Sequence, residues 1–237
     1  MAGEITGLIA GAAVDAAQAR KALADAKKGK SKEQKDIIDF FASEYGGAGC
    51  GCLGKGSRSM SMDEYQRKIG ERCNSLNLKT KAMDKIGLDE SEISEISPIC
   101  LSSYVFDDDA WVKVEGNIAV SSQYCVSWIF FSATQMYTYS YTFDMTSDNT
   151  WEVTNDFFYQ DITCFTTENK LVERIMTETD KGCFGKGESS YKQNYIVDTL
   201  KITVPGTSYI VSMRDAGAQA QSIQAAKAML RERKFVK

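Results

Sequence analysis

Apolar side chains recur at two different periods along this chain. Up to about residue 95 the spacing is helical, and from Ile99 onward it drops to two. Residues 4–28 are rich in Ala, Lys, Gln and Leu, with Leu8, Ala12, Ala19, Ala22, Leu23 and Ala26 at helical intervals. Gly29 predicts the stop. Ser31 with Gln34 has the spacing of a capping box, and Ile37, Ile38, Phe40 and Phe41 give the next helix a heavier apolar face that ends near Tyr45. A third helix is predicted from Ser61 or Asp63 past Ile69, Cys73 and Leu76. Leu78 to Ile86 continues or follows it, and Gly87 breaks it. Asp89 and Glu92 suggest one more short helix, Asp89 to Ser94.

The period-two part predicts strands at Ile99–Phe106, Trp111–Val114, Ile118–Ser121, Gln123–Ser132 and Gln135–Asp144. The last two form a long hairpin. On its second strand Tyr137, Tyr139, Tyr141 and Phe143 share one face, and Met136, Thr138, Ser140 and Thr142 share the other. Trp151–Thr154, Phe157–Phe165 and Leu171–Met176 are expected to continue the sheet. Tyr195–Val204 and Ser208–Met213 form a hairpin about Pro205-Gly206. No crossover helix interrupts these strands, which excludes a parallel βαβ sheet. Residues 216–234 predict a closing helix with Ile223, Ala226, Met229 and Leu230 on its apolar side.

The fold class expected is therefore α+β. Residues 1–95 form a helical region of two to four helices, with a Gly-rich loop at 46–57. Residues 96–237 form an antiparallel barrel or sandwich of about seven strands capped by a C-terminal helix. The run Tyr124-Cys125-Val126-Ser127-Trp128-Ile129-Phe130-Phe131-Ser132, then Met136 to Asp144 and Phe157 to Ile162, resembles bacterial pleckstrin-homology-like (PH-like) domains. The resemblance covers roughly residues 98–234. Similar strands occur in bacterial proteins that join a helical N-terminal region to such a domain. It implies a barrel that binds peptides, proteins or phosphoinositides rather than one that catalyses. The closing helix lacks the Trp that many members carry.

Composition narrows the chemistry. The chain of 237 residues holds no His, which excludes Ser-His-Asp and Cys-His catalytic pairs and His-ligated metals. The net charge of -4 hides three zones. Residues 1–95 hold 15 basic and 15 acidic side chains, 96–215 hold 8 and 16, and 216–237 hold 5 and 1. Phosphoinositide binding is disfavoured, because the loop after the first strand carries Asp107, Asp108 and Asp109 where basic residues would be needed. Those acids lack the spacing of a calcium loop and are expected to form a solvated turn. No nucleic-acid signal accompanies the tyrosines.

The opening residues carry Glu4 ahead of a short apolar run, Ile5 to Val14, unlike the positive start of a secretory signal. No run has the roughly 18 apolar residues of a membrane span. With 7 dispersed Cys, the expected setting is reducing and cytoplasmic.

Three candidate sites follow. Tyr137, Tyr139, Tyr141 and Trp128 are candidate interaction residues, facing a partner, another subunit or the chain's own helices. Gly51-Cys52-Leu53-Gly54-Lys55-Gly56 is echoed by Gly182-Cys183-Phe184-Gly185-Lys186-Gly187. These two loops offer Cys50, Cys52 and Cys183, with Cys73 a possible fourth, as metal or thiol ligands, and Lys55 and Lys186 as their cations. The phosphate-loop pattern from Gly49 to Lys55 fails at Gly56, where Ser or Thr is required. Asp156 and Asp161 are a candidate carboxylate pair for a hydrolase, although five residues along one strand places them on opposite faces. The function expected is a non-catalytic protein-interaction or self-assembly module without cofactor. Thiol, metal or carboxylate chemistry is the alternative.

Overall fold

The computed structural model describes residues 16–42, 60–93, 96–115, 118–182, 185–214 and 216–235. Four helices come first: α1 (Ala16–Lys27), α2 (Lys32–Ala42), α3 (Met62–Ser75) and α4 (Leu78–Ile86). Their ends are chemically marked. Ser31 and Gln34 cap α2 reciprocally: Gln34 N–H donates to Ser31 Oγ at 3.1 Å, and Ser31 N–H to Gln34 Oε1 at 2.9 Å. Ser61 Oγ accepts from Glu64 N–H at 3.1 Å at the start of α3. Gly87 ends α4 at φ 81°, with its N–H on Met83 O at 2.8 Å.

Nine strands follow among the described residues, in three antiparallel sheets. The central sheet takes β1 (Ile99–Val105), β4 (Gln123–Phe131), β5 (Gln135–Asp144) and β6 (Thr150–Phe158), in the order β1-β4-β5-β6. A small hairpin pairs β2 (Val112–Glu115) with β3 (Ile118–Ser121). The third sheet is β7 (Cys164–Gly182), β8 (Gly185–Val204) and β9 (Thr207–Met213). Helix α5 (Ala216–Phe235) closes the chain.

The central sheet separates two cores, as the period-two pattern implies. On one face Tyr104, Tyr124, Val126, Phe130, Tyr139, Tyr141 and Phe143 meet α2, α3 and α4 through Ile37, Phe40, Phe41, Tyr65, Ile69 and Ala82. Buried, Tyr65 donates its O–H to Ser121 O at 2.6 Å and ties α3 to β3. On the opposite face Ile99, Leu101, Ile129, Phe131, Met136 and Phe157 pack under the third sheet and α5, through Leu200, Ile202, Val211, Met213, Ile223 and Ala226. Each fully buried side chain of this kind stabilises the fold by roughly 1.5–3 kcal/mol.

Four expectations need correction. The stretch after Asp89 is a turn, not a helix. The cap spacing does produce a bond, Asp89 N–H to Glu92 Oε2 at 3.0 Å, but Asp89 Oδ1 also takes Ser91 N–H at 2.9 Å and closes the chain on itself. The strand expected over 157–165 is divided, because β6 runs from Thr150 to Phe158 and a 3-10 turn at Tyr159–Asp161 precedes β7. Strands β7 and β8 run unbroken to Gly182 and from Gly185, where a loop was expected. Since β9 covers only Asp198–Val204 of β8, the two-stranded ribbon extends roughly 40 Å past it.

Finally, the described strands do not close into a barrel. Among the described residues β6 pairs with β5 alone, β7 starts a separate sheet, and β1 meets the end of β9 through Arg214 N–H on Ser102 O at 2.9 Å.

Candidate functional site

The third sheet covers only half of its face of the central sheet. Over β4 and β5 its polar contact is Tyr209, whose hydroxyl bonds Ser140 Oγ, itself 2.6 Å from Ser127 Oγ. Beyond this seam the face stays open. Thr142 pairs with Trp151 in register, and Trp151 and Val153 on the edge strand β6 are 44% and 51% exposed. A cleft of about 350 Å³ lies here, lined by Val105, Asp107, Asp109, Gln123, Thr142 and Trp151. Asp107 to Asp109 form the exposed turn the sequence predicts, closed by Ala110 N–H on Asp107 O at 3.0 Å. Two of its three acids line the cleft.

Gln123 is only 3% exposed and anchors that turn, donating from Nε2 to Asp109 Oδ1 at 3.0 Å. The carboxylate can only accept, so this bond fixes the amide orientation, with Nε2 on the turn. Among the described residues neither Asp107 nor Asp109 makes an ion pair, and no basic side chain lines the cleft.

A second, larger groove of about 500 Å³ runs between α2, α3 and the β5–β6 turn. Its polar groups are already paired with one another. Lys68 Nζ meets Glu33 Oε1 at 2.6 Å, Gln34 Nε2 donates to Asp148 Oδ1 at 2.9 Å, and Arg72 lies over the Phe143 ring at 4.9 Å. These bonds spend its recognition capacity on joining helices to sheet.

The candidate tyrosines face the helices of their own chain. Tyr139 and Tyr141 are buried in the first core, with Tyr137 and Trp128 half-buried at its margin. Trp128 stacks on Phe130 with ring centroids 6.1 Å apart. Lys81 Nζ stands 4.3 Å over the Tyr141 ring and reaches Glu152 Oε1 at 2.5 Å, so α4 is tied to β6. Burial, and then the Glu152 carboxylate, push the Tyr139 phenol well up, while the hydrogen bond from Lys81 lowers Glu152.

Cys50, Cys52, Lys55 and Cys183 lie outside the described residues. Lys186 sits at the tip of the β7–β8 ribbon, paired in register with Lys181. Cys73 on α3 and Cys100 on β1 are half-buried, and burial pushes both thiols up to about 11, the opposite of an activated nucleophile. Asp156 on β6 and Asp161 in the 3-10 turn are exposed, and neither lines a cleft. Among the described residues no three Cys, Asp or Glu gather as a metal site would require, and no helix is long and apolar enough to cross a membrane.

The sequence reading missed Gln123, Thr142 and Trp151. The one available signal was Trp151 with Val153 in the otherwise polar stretch Thr150 to Asp156. Comparison with known protein families, curated proteins and solved structures finds no match.

Proposed function

We propose that this chain is a non-catalytic protein-interaction module that docks a partner protein on the open half of its central sheet. One observation carries the reading. Trp151 and Val153 stand exposed on a strand whose outer edge is unpaired among the described residues, beside a cleft lined by Asp107 and Asp109. Burying them on a partner removes apolar surface from water, and the free edge offers backbone donors and acceptors. The resemblance of residues 98–234 to PH-like domains supports the reading by analogy, since such folds work by binding. A cytoplasmic setting accords with it.

The test places Lys at position 153. Sedimentation and partner titration of the full chain are compared with the Val153→Lys variant. Association with a partner, or with a second copy, that the variant loses supports the reading. A strict monomer whose partner binding survives Val153→Lys overturns it.

A further inference from the structure

Strand β6 is an outer strand of the central sheet, and among the described residues its free edge is unpaired from Thr150 to Phe158. That edge holds none of the Lys, Pro or Gly residues that blunt an outer strand against further pairing. Pairing with β5 sets its two faces. Thr150, Glu152, Thr154 and Asp156 lie on the helical side, in register with Phe143, Tyr141, Tyr139 and Tyr137. Trp151, Val153 and Asn155 lie on the other side, in register with Thr142, Ser140 and Thr138.

The charges along the helical side are unevenly matched. Glu152 takes two lysines of α4, Lys81 Nζ at 2.5 Å and Lys85 Nζ at 3.7 Å. Asp156, exposed on the same side, makes no ion pair among the described residues. Four residues of strand, roughly 13 Å, separate the two carboxylates. One end of the edge therefore has a lysine to share and the other has a carboxylate without one. Turned end for end, the edge complements itself.

We infer that β6 pairs edge to edge with β6 of a second copy of this chain, antiparallel about Val153. This names the partner of the docking reading above and rests on it. A two-fold pairing of this kind sets one residue against itself, and the sequence selects which. Centring on Glu152 or Thr154 opposes carboxylates across the seam, Glu152 on itself or on Asp156. Centring on Trp151 keeps only Thr150 to Glu152 within both strands, and centring on Asn155 sets Trp151 against the 3-10 turn at Tyr159. Centring on Val153 pairs Thr150 to Asp156 in full. Glu152 then opposes Thr154, Trp151 opposes Asn155, and no like charges meet. Asp156 of each copy opposes Thr150 of the other. That puts it on the diagonal from Glu152, within reach of the Lys85 side chain. The two central sheets become one, and the exposed Val153 side chains cover each other at the seam.

The test is charge reversal in two separate full-length chains, Lys85→Glu and Asp156→Lys, both at exposed positions. Each variant alone opposes like charges at both ends of the seam. Its dimer dissociation constant, from sedimentation over a dilution series, is expected to rise about tenfold. Mixed in equal amounts, the two variants restore opposite charges at both ends, and association is expected to return to the wild-type level. That return also shows that each variant is folded. A dimer that neither reversal weakens, or a mixture that associates no better than its parts, overturns the edge pairing. A strict wild-type monomer overturns it as well. In that case binding of a foreign partner that is lost on Val153→Lys leaves the docking reading standing, and binding that survives Val153→Lys overturns both.

Discussion

The two faces of the central sheet are built from the same four strands and differ in what covers them. The helical face is aromatic and closed: Phe40 and Phe41 each pack on Tyr65 with ring centroids about 5 Å apart, at 4.9 and 5.1 Å. The other face is richer in aliphatic side chains, with Phe131 and Phe157 among them, and is only half closed, by the third sheet and α5. The aromatic face carries almost no open chemistry, because helices consume it. The cleft opens where the cover ends, at Gln123, Thr142 and Trp151. Tyrosine-rich texture in a strand is thus a sign of packing here, whereas Trp151 and Val153 mark the strand that stays exposed.

This contrast can be broken most directly in the cores. Phe130→Ala on the helical face should cost about 3–5 kcal/mol and Ile202→Ala under the opposite face about 2–5 kcal/mol, read by chemical denaturation. Both should shift one cooperative transition. Two transitions, one per layer, would show that the shared sheet does not couple them.

Thiol labelling is the next probe. At pH 8 thiols raised to about 11 stay protonated, so Cys73 and Cys100 should alkylate roughly a hundredfold more slowly than an ordinary thiol. Exposed Cys164 is the internal standard, and peptide mass mapping over time gives the rates. Equal rates at all three would mean that the helical layer opens readily.

A smaller effect, about 1–2 kcal/mol, is expected for Tyr65→Phe, which leaves a buried carbonyl at Ser121 without its donor. The smallest concerns the open half: Trp151→Ser should change stability by no more than about 0.5 kcal/mol. A large loss there would make Trp151 a packing residue and remove it from the docking surface.

Much of this architecture was legible because it is local. The caps at Ser31 and Ser61, the stop at Gly87 and the Pro205-Gly206 turn depend on a few adjacent residues, and each forms as the sequence implies. The alternation through β4 and β5 also announced both faces.

What stayed hidden depends on partners distant in the chain. Strand β6 was legible only in part: Trp151–Thr154 was expected as a strand, and pairing with β5 carries it on to Phe158. The β7–β8 ribbon likewise owes its length to register, not to apolar periodicity. Whether the sheets closed was decided by edges that no single stretch encodes. The cleft joins Asp107 to Trp151 across four strands, and the acids alone read as a solvated turn.

The docking of α2, α3 and α4 on β4 and β5 has a consequence for synthesis. These helices leave the ribosome first, with Ile37, Phe40, Phe41 and Tyr65 already on their surfaces. Their cover is not made until residue 144 emerges, which at about 5–20 residues per second is several seconds after α4. For that interval the nascent chain presents a sticky aromatic surface. A trigger-type chaperone that shields such surfaces, or a slow codon run placed after the β4–β5 hairpin, would act on yield without touching the finished fold.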